Sequence, residues 1–147
     1  MKFNKLLVIA GLLSFIASLL HIACIFGGPD WYRFFGAGEH MAQLAEQRST
    51  YPTFVTLIIS AILAIWGLYA LSGAGVILKL PLLKTALVLI TAIYLVRGIA
   101  GLTIPFLTTS QAIHHNSMQF WIISSVVCSI YGLFYLLGTL KYLRTNT

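Results

Sequence analysis

The stretch Thr85–Phe106, "TALVLITAIYLVRGIAGLTIPF", decides the fold. It is a continuous apolar run broken by a single charge, Arg97. A bilayer core about 30 Å thick needs about 20 such residues in a helix. Three further segments meet that requirement: Leu6–Phe26, Thr53–Leu71 and Phe120–Leu140. Barrel strands are excluded, because they read as segments of roughly ten residues with alternating polarity. The whole chain of 147 residues is 59% hydrophobic and 8% charged, whereas a soluble domain carries about 25% charge. The expectation is an all-α, single-domain integral membrane bundle of four transmembrane helices.

The N-terminus, "MKFNKLLVIAGLLSFIASLLHIAC", has the basic start and apolar run of a secretory signal. The run is longer than a usual signal core and ends without an A-x-A-like site, so it reads as a retained helix. Lys2 and Lys5 precede the first span, Lys79 and Lys84 separate the second and third, and Lys141 and Arg144 follow the fourth. The other face of the membrane receives Arg33 and Arg48. This asymmetry places both termini in the cytoplasm, and the chain is expected in a plasma membrane of the bacterial inner-membrane kind. The same placement of basic residues accounts for the net charge of +6 as topology and argues against nucleic acid as a partner.

The first outer loop, "GGPDWYRFFGAGEHMAQLAEQRSTYP" (Gly27–Pro52), holds all the acidic residues of the chain: Asp30, Glu39 and Glu46. Helical spacing over Trp31–Arg48 puts Trp31, Phe34, Met41, Ala42 and Ala45 on one side and Arg33, Glu39, His40 and Glu46 on the other. The expected element is a short amphipathic helix over about residues 31–48, lying at the outer interface with Trp31 and Tyr32 as anchors.

Arg97 carries the most functional information. It lies about twelve residues into the third span, roughly 18 Å along the helix and nearer the outer surface. A lone guanidinium at such depth needs a partner, and Glu39 or Asp30, folded over the outward mouth, is the expected counter-ion. The alternatives for Arg97 are a structural pairing or snorkelling, a ligand-binding anchor for an anion, and a place on an ion path. His21, one turn before Cys24, and His40 add polar groups on the same side, so the candidate ligand-binding residues are Arg97, Glu39, Asp30, His21 and His40. His21, Cys24, His114 and His115 are weak metal-ligand candidates. They lack the tight spacing of a metal motif, so no metal or other cofactor is assigned. Ser125, Cys128, Ser129 and Gly132, with Gly98 and Gly101, form small-residue stripes suited to helix contact. No nucleophile elbow, phosphate loop, dinucleotide fingerprint or C-x-x-C is present.

In number of spans and in its folded outer loop the chain resembles DoxX-like proteins and the sigma-2-receptor-like group of sterol-pathway proteins. The resemblance carries over no motif and no site residue. The leading expectation is a membrane protein with an outward-facing polar pocket for a small molecule, a lipid or a membrane-protein partner. A metal-handling protein or intramembrane enzyme using Glu39, His40, His21 and His114 is the second. The third is a subunit of an oligomeric transporter, for which a homodimer would be needed.

The topology has a direct test. Cysteines introduced at Ser49 and Ser117 should react with an impermeant reagent on intact cells, and one at Thr147 should not; the reverse pattern overturns the orientation.

Overall fold

The computed structural model describes residues 3–108 and 118–145, and these residues are almost entirely helical. The helices are α1 (Lys5–Phe34), α2 (Glu39–Glu46), α3 (Tyr51–Ala74), α4 (Leu83–Leu107) and α5 (Met118–Thr145). All except α2 are long and apolar enough to cross a membrane, and the chain is an integral membrane protein built as a four-helix bundle. The long helices form a ring in chain order, with α1 tight against α3 and α4 tight against α5. Neighbours run antiparallel. At the start of α1, the Asn4 backbone N–H donates to the Ala74 carbonyl at the end of α3 (3.1 Å). Its side-chain Nδ2 donates to the Gly138 carbonyl late in α5 (2.7 Å).

The bundle is apolar outside and hydroxyl-rich inside. Leu19 is 65% exposed, Val96 65% and Ile123 64%, while Ser14, Ser18, Ser60, Thr91, Ser125 and Thr139 are buried. Lipid is as apolar as leucine, so burying leucine between spans gains little; close contact and interhelical hydrogen bonds hold such helices together. Both are present here. Gly11 on α1 and Gly67 on α3 face each other, and a Cβ on either would lie 3.1 Å from the other's carbonyl oxygen. Two turns along, Ser18 and Ser60 exchange bonds: Ser18 Oγ donates to the Ser60 carbonyl (2.8 Å) and Ser60 Oγ to that of Ser18 (3.0 Å).

At the bundle centre a chain of hydroxyls links every spanning helix. Tyr135 Oη on α5 donates to the Trp66 carbonyl on α3 (3.0 Å). Its single proton is thereby committed, so Ser14 Oγ on α1 donates to Tyr135 Oη (2.8 Å), and Tyr94 on α4 approaches Ser14 as donor at 3.5 Å. Tyr94 also stacks on Tyr135 (5.4 Å between ring centroids) and meets the Trp66 ring edge-on (5.1 Å).

The outer-loop expectation needs correction. No single helix spans residues 31–48. Helix α1 kinks at Gly28 (φ 69°, ψ −154°), a backbone conformation open to glycine and strained for other residues. It resumes at Pro29, whose fixed φ suits a first helical turn, and ends at Phe34. Positive φ at Gly36 (73°) and Gly38 (95°) then separates this turn from α2. Trp31 and Tyr32 thus belong to α1. Tyr32 is buried with Cys24 and Ala42 in a small second core, where its Oη lies within hydrogen-bond distance of the Thr56 hydroxyl of α3 (3.3 Å).

These contacts rank two substitutions. Gly67→Val should lower stability by about 1–3 kcal/mol by forcing α1 and α3 apart. Tyr135→Phe, which removes the two hydrogen bonds of one hydroxyl, should cost less, roughly 1.2 kcal/mol at about 0.6 kcal/mol each. Reversible unfolding in mixed micelles measures both, and an equal or inverted ranking would show that backbone approach does not limit packing.

Candidate functional site

Arg97 sits in a notch between α4 and α5, and the sequence around it explains the notch. Gly98 and Gly101 on α4 face Ser129 and Ser125 on α5. A Cβ on Gly98 would collide with Ser129 Oγ, and one on Gly101 with both Ser125 Oγ and the Arg97 guanidinium. The side chain therefore occupies space that only missing Cβ atoms leave open. Arg97 Nη1 donates to Ser125 Oγ (3.4 Å) and Nη2 to Ser124 Oγ (3.3 Å). The guanidinium carbon lies over the Trp121 ring, 5.1 Å from its centroid. Trp121, Ser124 and Ser125 are three and four residues apart and share one face of α5.

The magnitudes nearly match. Placing an arginine in a span costs about 2.5–3.5 kcal/mol on insertion scales. A desolvated cation–π contact offsets about 2 kcal/mol, and interhelical hydroxyl bonds in membranes average roughly 0.6 kcal/mol. The guanidinium is therefore tolerable here without a carboxylate. It still keeps N–H donors beyond the two that the hydroxyls accept.

The expected pairing of Arg97 with Glu39 or Asp30 is overturned. Each of the three acids instead meets Arg33. Arg33 grips Glu39 in a two-pronged contact, Nε to Oε2 and Nη2 to Oε1, both 2.8 Å. Nη2 also reaches Glu46 Oε1 (2.7 Å), and Nη1 lies 3.5 Å from Asp30 Oδ1. The cause is proximity along the chain. The turn after Gly28 presents Arg33 to α2, and closing so short a loop loses little entropy. Reaching Arg97 would carry a carboxylate into the bundle and strip its water.

The other candidates are scattered. His21 is half-buried, and its Nδ1 lies 2.7 Å from the Ala17 carbonyl one turn earlier; a carbonyl only accepts, so Nδ1 carries the proton. Cys24 is buried beside Tyr32 and Ala42. His40 is exposed on α2. His114 and His115 lie outside the described residues. Among the described residues, no three of His, Cys, Asp and Glu come together as a metal site. Sequence reasoning took Ser125 as packing only and passed over Trp121 and Ser124. The signal was present as an aromatic residue one turn before a serine pair, on a span facing Arg97.

No family model, curated protein or solved structure matches the chain.

A double-mutant cycle checks the pairing. Arg97→Met and Glu39→Gln should have additive effects on stability, whereas Arg33→Met and Glu39→Gln should couple, less so at high salt. Coupling between Arg97 and Glu39 would restore the pairing that the geometry rejects.

Proposed function

We propose that this protein is a membrane-embedded binder of an anionic amphiphile, a small molecule or lipid whose charged head is recognised by Arg97 at the end of the bundle that carries α2. One observation carries this reading: a half-buried guanidinium held by two long hydroxyl bonds and a tryptophan face. The acids of the chain are engaged by Arg33, so the Arg97 guanidinium keeps donors that no carboxylate of the chain takes. A negatively charged head could accept from the remaining guanidinium donors and lie against Trp121, with its tail along the exposed apolar faces of α4 and α5. In this reading the α2 end faces outward, and α2 rests on the membrane interface with Ala42 toward the bundle and its charged side toward water.

Dodecyl phosphate provides the test. A Trp31→Phe/Trp66→Phe variant keeps Trp121 as its sole tryptophan, so its fluorescence reports on the ring beneath Arg97. Titration in neutral detergent should change that signal saturably. Arg97→Met should weaken the half-saturation point by about ten-fold or more, the worth of a hydrogen bond to a charged group. Arg97→Lys should fall between, because a point charge lacks the planar fork. Equal binding by wild type and Arg97→Met would refute the assignment.

A further inference from the structure

The opposite end of the bundle holds a second arrangement that the Arg97 reading does not use. A cavity of about 600 Å³ opens between the start of α1, the α3–α4 connection and the last turns of α5. Phe3, Asn4, Ser72, Ile77, Lys79 and Lys141 are among the residues lining it. Lys79 stands on a braced loop. Ser72 Oγ donates to the Leu78 carbonyl (2.8 Å) and accepts from the Leu80 N–H (2.9 Å), fixing the backbone on both sides of Lys79. Tyr69 Oη ties the next turn by donating to the Pro81 carbonyl (3.2 Å). The side chain of Lys79 is exposed, as is that of Lys141 on α5.

Two observations point to an occupant. No acidic side chain is at this end, because Asp30, in the last turns of α1, and Glu39 and Glu46, in α2, all lie at the other. Among the described residues, the two lysines therefore meet no acidic side chain across the cavity. Independently, Asn4 is 8% exposed, and its Oδ1 is the buried side-chain polar atom that lacks a hydrogen-bond partner among the described residues. Its Nδ2 is committed to the Gly138 carbonyl, so turning the amide over would bring two acceptors together. The wall thus presents two cations, and an unpaired acceptor lies buried just beneath its surface, reachable by a donor only if the Asn4 side chain shifts toward the cavity. Phe3 and Ile77 add apolar surface at the level where spans end.

We propose that this cavity binds the head of an anionic, hydroxyl-bearing phospholipid, with the phosphodiester between Lys79 and Lys141 and a head hydroxyl donating to Asn4. A soluble phosphate would satisfy the lysines but would make no use of the apolar rim beside the lipid-facing helices. Basic pockets between spans are established binding places for such heads.

Native mass spectrometry of the intact protein in neutral detergent tests the proposal with defined lipids. Phosphatidylglycerol should be retained in preference to phosphatidylcholine. Lys79→Gln and Lys141→Gln should each weaken retention about five-fold, and together about thirty-fold. Both lysines are exposed, so these variants should fold. Arg97→Met should leave this preference unchanged, which separates the site from the one above. Phosphatidylmethanol, an anionic phosphodiester with no hydroxyl, should bind more weakly than phosphatidylglycerol, and Asn4→Val should erase that difference. If Asn4→Val does not fold, the two lipids compared on wild type decide the hydroxyl contact. Equal retention of phosphatidylglycerol and phosphatidylcholine, insensitivity to the lysine variants, or full displacement by millimolar inorganic phosphate would each overturn the proposal.

Discussion

Ser14, Tyr135 and the Trp66 carbonyl meet where all the spanning helices come together, and the arrangement of the bundle depends on that junction. Between helices in lipid there is little to gain from burying leucine against leucine, so a polar atom at the centre has few acceptable surroundings. Each hydroxyl must find its partner within the protein. Tyr135 donating to α3 and accepting from α1 sets how far α5 slides along both. The stacked Tyr94 ring carries the same constraint to α4. With the register set there, Gly98 and Gly101 fall opposite Ser129 and Ser125 to open the Arg97 notch. At the far end Asn4 falls between Ala74 and Gly138.

Charge follows a separate logic that the bundle then exploits. The chain has nine lysines and arginines against three acids. All the acids sit within reach of Arg33, which is close in sequence and already in water. Local pairing keeps the carboxylates hydrated; pairing with Arg97 would bury them. Arg97 near one end and the Lys79–Lys141 pair at the other are among the cations this leaves without an acidic side chain. Both proposals rest on this single asymmetry. They differ in geometry: a planar fork over an indole ring at one end, two flexible ammonium groups over a braced loop at the other.

Much of the fold was legible in residues 85–106 and their three counterparts, because span length and apolarity are properties of the local sequence. The break at "FGAG" was less so. Helical periodicity over residues 31–48 was genuine, but positive φ at Gly36 and Gly38 divides it, and a pattern of faces does not reveal where the backbone turns. Arg97 stood out at once from its insertion cost. Its partners did not, because serine and tryptophan on another span gave no signal comparable to a nearby carboxylate. Ser125 was visible only as one member of a small-residue stripe.

The sequence by itself determined that the chain is a four-span helical membrane protein and that its acids gather in one loop. It also determined that an arginine must be accommodated within a span. These follow from composition and from the thickness of the bilayer, which act on each segment alone. Only the tertiary structure decided which cation takes the acids, that Arg97 rests on Ser124, Ser125 and Trp121, and that Asn4 and two lysines border one cavity. Those outcomes depend on how the helices slide and rotate against one another. That register is set by a few buried hydroxyls and missing Cβ atoms far apart in the chain, each of which reads locally as ordinary packing.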